Sequence, residues 1–523
     1  MIFEHLLPRS FSSALLLLLA CVLLRLVVNK YGQGLNRVPG PWAAGFTDLW
    51  RLFVVRGRRA QEVHIELHKR YGPVVRLGPR AVSIGDPEAI KIIYSAGAGF
   101  SKSSFYPVQQ ALAKGKRLET MFNTANEAYH AKLRRSVSNA YAMSTLVTFE
   151  SFVDSTSTEF LKQLKLRFAN RSGDDGICDF GAWLQYYAFD VIGELTYSKR
   201  LGFVEKGIDI ENIIRDLERF LDYVSWAGQI PFLDRLLMKN PAKIWLAKHG
   251  LLNASAPVAE FAKRHITERQ REEELGDVKA SGLTSRRDFL NRFREARAKN
   301  PDFITEQLVL ALTVANMFAG SDTTGITMRA AFYFLLKHPS TMEKLLDELS
   351  EQSKAGKFAR DDGLVQWEEV RSLPYLSAVI NESLRCHPAV GLTLERIVPP
   401  EGVTISGHAL PGGMVVGCSA WVVHQDTEVF GNDAAEFRPE RWIESSTEKR
   451  QRMNNCLFSF GAGARTCIGK NISLLELYKL IPTILRIFEV ELVNPDSTWE
   501  LHNAWFVKQK GLLVRLKERE VMI

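Results

Sequence analysis

The sequence has few of the features that divide or cross-link a chain. Its 523 residues include only six cysteines, and none of them is spaced as a C-x-x-C pair. This argues against a disulfide framework and against a zinc site built from such pairs, and it favours a reducing compartment. No internal repeat and no long low-complexity linker separates one part of the chain from another. With 46% hydrophobic and 24% charged residues, the chain can bury a large core.

The chain also lacks a concentrated basic segment. Its formal net charge is +8, but no run of Lys and Arg is interleaved with aromatic residues. Such runs are typical of proteins that bind nucleic acid, so we expect no nucleic-acid partner. The dispersed charge is better explained by a basic face for an acidic protein partner or for a membrane surface.

One long hydrophobic run, Phe11–Val28, lies near the N-terminus. Its length is about that needed to span a bilayer, and Arg25 lies close enough to its end to reach the headgroups. A cleaved signal peptide is the alternative, but no A-x-A site follows the run. Three basic residues lie at or beyond the C-terminal end of this run: Arg25, Lys30 and Arg37. Because basic residues next to a membrane span tend to stay in the cytosol, this favours a cytosolic location for the rest of the chain. We therefore predict a retained membrane anchor at residues 1–30.

A stiff elbow follows the predicted anchor. Pro39 and Pro41 flank Gly40, which excludes a helix and is compatible either with an ordinary linker or with a hinge against the bilayer. We predict a Pro/Gly-rich hinge at residues 31–45 and one catalytic domain at residues 46–523.

Helical spacing of apolar residues dominates the chain beyond Gln61. Val74–Ile84 and Val403–Val423 are instead rich in β-branched residues and turn signals, which predicts short strands. Arg264–Lys299 is dense in charges of both signs, which predicts a solvated helix pair and loop without a catalytic role. The expected fold class is mainly α with small peripheral β-sheets.

The segment Phe460–Gly469 reads FGAGARTCIG and places one cysteine before an apolar helix predicted at Ile468–Ile487. The positive end of a helix lowers the pKa of a thiol, and Arg465 adds a fixed cation two residues from Cys467. A thiolate held in this way can be an axial ligand of haem iron. A small buried hydrophobic residue is the alternative interpretation of such a cysteine.

Five residues of this loop, Phe460, Gly463, Arg465, Cys467 and Gly469, match the pattern F-x-x-G-x-R-x-C-x-G. The pattern resembles the haem-binding loop of the cytochrome P-450 monooxygenases. The resemblance implies a cytochrome P-450 fold preceded by one N-terminal transmembrane helix, and a haem b cofactor with Cys467 as the ligand of its iron.

A second motif lies inside a long apolar helix predicted to run from Thr305 to Lys337, where Thr305 can cap the N-terminus. Its centre reads AGSDTT, in which the glycine and the hydroxyls weaken or bend a helix. A packing notch between helices is the alternative. The motif resembles the oxygen-activating motif of the P-450 family. The resemblance implies Thr323 as a hydrogen-bond donor to dioxygen at the haem, Asp322 as a proton-relay carboxylate, and Ala319 and Gly320 over the haem.

A third set of residues is expected to hold the cysteine loop in place. Glu382 and Arg385 form an E-x-x-R pair on one helix face, and residues 437–442 resemble the PERF-type segment of the same family. Together they predict a buried cluster of Glu382, Arg385 and Arg441. By itself, E-x-x-R occurs on many exposed helices.

The two carboxylates of haem need cationic or hydrogen-bonding partners. Arg465 is the strongest candidate, Arg396 is another, and His130 and Arg134 lie one helical turn apart. Many family members have Trp where His130 stands. Taken singly, such residues are more often surface charges.

The resemblance also implies partners and a location. Lys132, Arg135, Lys470 and Arg452 are expected on the cysteine side of the haem, where they suit an acidic NADPH-cytochrome P-450 reductase, although each also fits ordinary solvated charge. Membrane lipid and a hydrophobic small-molecule substrate complete the expected partners. The expected location is the endoplasmic reticulum membrane, with the catalytic domain cytosolic.

The stretches 189–203 and 220–231 look like fungal members related to pisatin demethylases, which implies secondary-metabolite biosynthesis. The leading hypothesis is therefore a membrane-anchored monooxygenase that oxidises a hydrophobic metabolite. A haem-thiolate isomerase or dehydratase that does not use O2, and a non-catalytic haem sensor, are the alternatives. The Asp322–Thr323 pair argues against both, because neither function needs protons delivered to dioxygen.

Overall fold

A 32-residue helix, Glu306–Lys337, forms the centre of the fold in the computed structural model, which describes residues 6–253, 255–274 and 288–521. Its first turn is capped by Thr305, whose side-chain oxygen accepts a hydrogen bond from the Leu308 N–H at 3.2 Å. It ends before Pro339, which cannot continue a helix. At 1.5 Å per residue this helix is about 50 Å long, enough to cross the whole domain. The predicted bounds of this helix are confirmed.

The long helix is largely buried because other helices and two strands cover it on most sides. The elements that pack on it are the helices Phe180–Tyr197, Pro257–Glu274, Phe289–Lys299, Pro339–Lys354, Pro374–Cys386 and Lys470–Ile487, and the strands Phe488–Leu492 and Phe506–Lys510. Its sequence is apolar on every face, as expected for a helix in the middle of a large core.

Further helices complete the described structure, and all but the N-terminal one belong to the globular body. The remaining ones of eight residues or more are Leu6–Tyr31, Leu49–Arg56, Ala60–Tyr71, Glu127–Val137, Glu150–Arg167, Ile213–Ala227, Pro241–Lys248 and Thr447–Cys456. Short helices are Ala89–Tyr94, Phe105–Val108, Met143–Leu146, Phe203–Lys206, Phe232–Leu236, Trp367–Val370, Ala420–Val423, Thr427–Phe430 and Arg441–Glu444. The fold is thus mainly α, as predicted.

The sheets are small and lie at the periphery. The largest has five strands in the order Val74–Gly78, Ala81–Ile84, Val415–Cys418, Arg396–Ile397 and Ser101–Lys102. A three-stranded sheet joins Phe488–Leu492, Leu513–Glu518 and Cys178–Asp179. Among the described residues, three separate two-stranded sheets pair Leu112–Ala113 with Lys116–Arg117, Val403–Ile405 with His408–Leu410, and Glu500–Ala504 with Phe506–Lys510.

Both segments predicted to form strands do so. Val74–Ile84 contains two strands, and Val403–Val423 contains three strands followed by a helical turn. The expectation of a solvated helix pair at Arg264–Lys299 was incomplete. The helices at its two ends each bury an apolar face, which includes Phe261 on the first helix and Phe289 on the second. Charges on the outer face concealed this amphipathic pattern. The loop between the two helices, residues 275–287, lies outside the described residues.

The N-terminal helix, Leu6–Tyr31, contains one candidate membrane span, Ser13–Tyr31, by length and composition alone. None of this span is buried against the rest of the protein. The carbonyl groups at its end are bound by the buried guanidinium of Arg76, which donates to Asn29 O at 2.7 Å and Lys30 O at 3.0 Å. Arg76 therefore ties the end of this helix to the first sheet.

The elbow after the N-terminal helix packs closely on the same sheet. The Arg76 N–H donates to Pro39 O at 2.7 Å, and a Cβ at Gly40 would lie 2.4 Å from Arg76 O. Only glycine fits at this contact. The segment is therefore a defined junction and not a loose linker.

Candidate active site

The cysteine loop is held in a tight turn that only glycine allows. Gly461 and Gly463 have φ of +68° and +63°, and a Cβ at Gly463 would lie 1.7 Å from Tyr94 O. The Cys467 N–H then donates to Phe460 O at 2.9 Å, which closes the loop on itself. The local sequence thus determines where the thiol is placed.

Cys467 borders a cavity of about 990 Å³ in the middle of the protein. All six cysteines belong to the described part of the chain, and Cys467 alone lines this cavity. The other predicted site residues that line it are Phe460, Arg465, Gly469, His130, Arg134, Arg396, Ala319, Gly320 and Thr323. Residues distant in sequence are therefore brought to one space.

Gly463, Asp322, Glu382, Arg385 and Arg441 are the predicted site residues that do not line the cavity. Gly463 shapes the loop behind Cys467, and the other four belong to two ion networks described below. None of the four touches the cavity directly in this arrangement.

The helix after the loop begins at Lys470, two residues later than predicted. Burial raises the pKa of the Cys467 thiol, although the N–H groups of Gly469 and Lys470 and the Arg134 guanidinium act to lower it. The side chain is accessible only because it faces the cavity, and protein surrounds it otherwise. The helix terminus lowers the pKa of this thiol as expected, but desolvation outweighs it, so the net pKa is raised and not lowered.

Several basic side chains meet along one wall of the cavity. Arg134 donates to Thr466 O at 2.8 Å, next to the cysteine. Arg465 donates to both oxygens of the Glu127 carboxylate, at 2.7 and 3.0 Å, and so already has an ionic partner. Burial, together with Arg465 and Arg134, lowers the pKa of His130 to about 3. His130 is therefore neutral at physiological pH and can donate a single N–H, as an indole would.

Lys102 is a member of this wall that the sequence did not reveal. It lines the cavity and is buried, with its ammonium donating to Phe122 O. Its sequence neighbourhood, SKSS, contains no motif, and only the pairing of its strand with Arg396–Ile397 brings it to the site.

The long helix presents its small residues to the cavity. The Thr323 hydroxyl lies at the wall and donates to Ala319 O at 2.7 Å, and the Ser321 hydroxyl donates to Met317 O. The hydroxyls thus bond back to the preceding turn, but the helix stays continuous from Glu306 to Lys337. The glycine and hydroxyls, which were expected to weaken or bend the helix, do not interrupt it in the described structure. A Cβ at Gly320 would lie 3.0 Å from Ile192, so the packing notch is also present.

The Asp322 carboxylate points away from the cavity. Its Oδ1 accepts a hydrogen bond from Gln185 and lies 2.9 Å from the Lys508 ammonium. Lys508 also pairs with Glu218, at 2.9 Å, on the helix Ile213–Ala227. Asp322 is thus adjacent in sequence to a cavity residue, while its charge belongs to a network that leads towards the surface.

The cluster of Glu382, Arg385 and Arg441 forms as predicted from the sequence. Both oxygens of Glu382 accept hydrogen bonds from Arg385, at 2.7 and 2.9 Å, and Oε1 also accepts one from Arg441 at 2.9 Å. All three side chains are almost fully buried. Burial acts to raise the pKa of Glu382, but Arg385 and Arg441 outweigh it, so the net pKa is lowered.

His424 connects this cluster to the cysteine loop and was not identified from the sequence. Its Nδ1 donates to Arg385 O at 2.8 Å, which leaves Nε2 to accept from the Phe458 N–H at 2.8 Å. Burial lowers the pKa of His424 to about 3, which favours the neutral ring that this pair of bonds requires. No spacing signal marks this residue, because its two partners are 39 and 34 positions away.

The chain belongs to the cytochrome P450 family, whose family model matches residues 39–516. It is 45% identical to a cytochrome P450 monooxygenase of Aspergillus terreus over 456 residues, which cover 87% of this chain and 90% of that protein. It is 40% identical to cytochrome P450 monooxygenase cicH of Emericella nidulans over 485 residues, which cover 93% and 94%.

A third relative is longer than this chain. Cytochrome P450 monooxygenase mpaDE of Penicillium roqueforti is 41% identical over 489 residues, 93% of this chain and 56% of that protein. The relatives confirm a monooxygenase of the P450 family, and therefore an enzyme. They do not identify the subgroup related to pisatin demethylases, which stays a prediction.

The residues around the cavity fit haem b, which the family binds through a cysteine thiolate. Cys467 offers a soft sulfur ligand, and coordination to iron deprotonates a thiol even when burial disfavours the thiolate. Lys102 and Arg396 border the same cavity, and neither forms an ion pair with a carboxylate among the described residues. Buried cations without an anion are what a dicarboxylate cofactor would neutralise.

Proposed function

We propose that this chain is a membrane-anchored monooxygenase that inserts one oxygen atom of O2 into a hydrophobic small molecule, in fungal secondary-metabolite biosynthesis. The observation that carries the proposal is the shared cavity, which joins Cys467 to Thr323 and to an apolar wall. The domain organisation proposed with it is an anchor at residues 1–30, a hinge at 31–45 and a catalytic domain at 46–523.

Cys467 is proposed as the residue that would hold the haem iron, with Phe460, Gly463 and Gly469 shaping its loop. Haem b, when bound, supplies the redox chemistry that activates dioxygen. Arg465, Arg396, His130 and Arg134 are proposed to hold the cofactor's carboxylates. Support comes from their common cavity wall and from the neutral His130, whose N–H can donate to a carboxylate oxygen.

Thr323 is proposed to orient a proton towards the cavity. Its hydroxyl lies at the wall and donates to Ala319 O, so it can accept a hydrogen bond from the cavity, and it would release Ala319 O when it donates one there. Asp322, the next residue on the same helix, is proposed to bring protons from the surface through rearrangement of its contact with Lys508. Ala319 and Gly320 leave room beside Thr323 because they carry little or no side chain.

The cavity wall indicates the class of substrate. Apolar side chains from several elements line it, among them Leu217, Phe220, Phe318, Leu392 and Phe506. Such a lining favours a hydrophobic ligand with few polar groups. The alternative reactions, isomerisation or dehydration without O2, are not favoured by any feature of this wall.

Electrons are proposed to come from NADPH through an acidic cytochrome P-450 reductase. Lys132, Arg135, Arg452 and Lys470 are all exposed, and Arg134 of the same helix as Lys132 contacts the cysteine loop. A basic face near Cys467 would attract an acidic partner. The exposed span Ser13–Tyr31 supports a membrane anchor, and the location proposed with it is the endoplasmic reticulum membrane with a cytosolic catalytic domain.

The proposal is tested by incubating the purified full-length enzyme with reductase, NADPH and isotopically labelled O2 in an extract of fungal metabolites. We expect mass spectrometry to find a product that gains one labelled oxygen atom only when NADPH is present. A matched Thr323→Val enzyme should form less of the same product. A haem-loaded enzyme that converts a compound without NADPH and without the label would contradict monooxygenation and favour an isomerase or dehydratase.

A further inference from the structure

One carboxamide on the cavity wall has no hydrogen-bond partner within the described part of the chain. Gln109 borders the cavity, and only 6% of the residue is exposed. Its amide nitrogen and its amide oxygen are both buried, and neither has a partner among the described residues. An unpaired buried donor or acceptor lowers the stability of the folded state, and Gln109 carries one of each. A polar group of a ligand in the cavity could satisfy both.

The other carboxamides that line the cavity are bonded within the protein. Asn123 and Asn253 each use the side-chain nitrogen as a donor and the side-chain oxygen as an acceptor. Asn316 accepts a hydrogen bond from the Tyr141 hydroxyl at 2.6 Å, so that only its nitrogen is unpaired. Within the described part of the chain, Gln109 is therefore the cavity-lining carboxamide whose donor and acceptor are both free.

The turn that carries Gln109 is held from behind. Gln109 directly follows the short helix Phe105–Val108, whose last carbonyl accepts a hydrogen bond from the Lys239 ammonium at 2.7 Å. Lys239 is itself buried and pairs with the Asp234 carboxylate at 2.8 Å. This contact fixes the backbone from which the Gln109 side chain extends. A polar side chain on a fixed turn loses little conformational freedom when it binds a ligand.

We propose that Gln109 is a specificity-determining residue, which binds a planar group of the substrate in which a carbonyl lies beside an N–H or O–H, as in a carboxamide or a lactam. This inference rests on the proposed function and adds the polar part of the hydrophobic substrate. The Gln109 nitrogen donates to the carbonyl of that group, and the Gln109 oxygen accepts from its N–H or O–H. A carboxylate offers no donor to the Gln109 oxygen and therefore fits less well.

The remainder of the substrate would lie against apolar side chains. Leu217, Phe220 and Phe318 line the same cavity as Gln109 and offer no polar group to a ligand. A hydrocarbon of the same shape could fill this space, but it would leave both polar atoms of Gln109 unpaired. Sites built to hydrogen-bond a ligand discriminate against analogues that lack the bonding group for this reason.

The test measures the binding of two probes of matched shape to the full-length holoenzyme. 2-Naphthamide carries the carbonyl and the N–H, and 2-isopropenylnaphthalene has neither. Equilibrium dialysis gives the Kd of each probe, without NADPH, for wild type, Gln109→Met and the control Gln110→Met. Methionine keeps the length of glutamine without its polar atoms. Gln110 is the matched control because it is also buried but does not line the cavity.

We expect the preference of wild type for the amide over the hydrocarbon, expressed as the ratio of the two Kd values, to fall about tenfold in Gln109→Met, because two hydrogen bonds are lost. Gln110→Met should keep the wild-type ratio. An unchanged ratio in Gln109→Met, or an equal fall in Gln110→Met, would overturn the proposal. Failure of wild type to bind 2-naphthamide would overturn it as well.

Thermal unfolding of the ligand-free holoenzymes provides a second measurement. If the Gln109 amide is unpaired, Gln109→Met should raise the midpoint of unfolding by roughly 1–2 °C. A lower midpoint would show that the amide already has a partner, such as an ordered water, and would contradict the proposal. Both measurements are independent of turnover. A labelled oxidation product together with an unchanged Kd ratio would therefore refute this inference alone, and a lowered ratio without any labelled product would refute only the proposed reaction.

Discussion

The Lys508 ammonium lies 2.9 Å from the Asp322 carboxylate, and this ion pair is almost closed to solvent. The side chains are 11% and 2% exposed. Because Lys508 also pairs with Glu218, it links the long helix to the helix Ile213–Ala227, which contributes Leu217 and Phe220 to the cavity wall. The carboxylate beside Thr323 is therefore connected to an element that borders the proposed substrate.

Removing Lys508 should leave the buried Asp322 charge without its ion-pair partner. We expect Lys508→Met to lower the free energy of unfolding by about 3 kcal/mol, measured by urea or thermal unfolding of the holoenzyme. The double variant Lys508→Met/Asp322→Asn should recover most of this loss, because no charge is then left unpaired. Strictly additive losses in the double variant would show that the pair does not interact.

Thr323→Val should uncouple electron consumption from substrate oxidation. The substitution keeps the volume of the side chain but removes the hydroxyl at the cavity wall. We expect product formation per NADPH to fall about tenfold, with hydrogen peroxide formed instead, because the hydroxyl no longer directs a proton. Water can donate a proton in its place, so the loss should not be complete. Thr327→Val is the matched control, because Thr327 also lines the cavity and bonds back to Thr323 O. If both variants formed the same amount of product per NADPH, Thr323 would not have the proposed role.

Glu382→Ala and Arg385→Ala should each yield protein without bound haem. Loss of one partner leaves a buried charge unpaired, and it disturbs the Arg385 carbonyl that orients His424 behind the cysteine loop. The haem content is read from the Soret band per mole of protein. Glu343→Ala, on an exposed helix position, should keep the wild-type content. A normal Soret band in either cluster variant would contradict this scaffold role.

His424 should make the stability of the protein depend on pH. The folded protein holds its pKa at about 3, below the ordinary value of 6.5, so the unfolded chain binds a proton first as the pH falls. The stability that neutral His424 contributes is fully present above about pH 6.5 and is lost as the pH falls towards 3. By pH 5 this loss lowers the free energy of unfolding by about 2 kcal/mol. Thermal unfolding of His424→Gln should therefore show a shallower decline from pH 7 to pH 5, and parallel curves would contradict the assignment.

Glu476 should be a source of instability in the helix that follows Cys467. Its side chain is fully buried, both oxygens lack a hydrogen-bond partner among the described residues, and burial raises its pKa well above the usual value. The folded state therefore favours the protonated acid, while the unfolded state ionises above about pH 4.5. Keeping Glu476 protonated in the folded state therefore lowers the free energy of unfolding by an amount that grows as the pH rises above about 4.5.

We accordingly expect Glu476→Met to raise the free energy of unfolding at pH 8 by about 2 kcal/mol, with a smaller gain near pH 4.5. Glu491 is exposed, so Glu491→Gln is the control, and it should change the free energy of unfolding little at either pH. A Glu476→Met protein less stable than wild type at pH 8 would show that the carboxyl has a partner in solution.

Local sequence determined the parts of this protein that depend on neighbours along the chain. The cap at Thr305 and the stop before Pro339 define the long helix, and the glycines around Gly463 allow the turn that presents Cys467. Spacing of three residues likewise placed Glu382 and Arg385 on one helix face. These features could be predicted because hydrogen bonds and backbone sterics act over a few residues.

Tertiary structure decided what depends on distant partners. It turned the Asp322 carboxylate towards Lys508, raised the pKa of the Cys467 thiol by burial, and placed Lys102 opposite Arg396. It also set His424 between the ion cluster and the cysteine loop. Burial and pairing of charges depend on which chain segments meet in space, and the residue types alone do not contain that information.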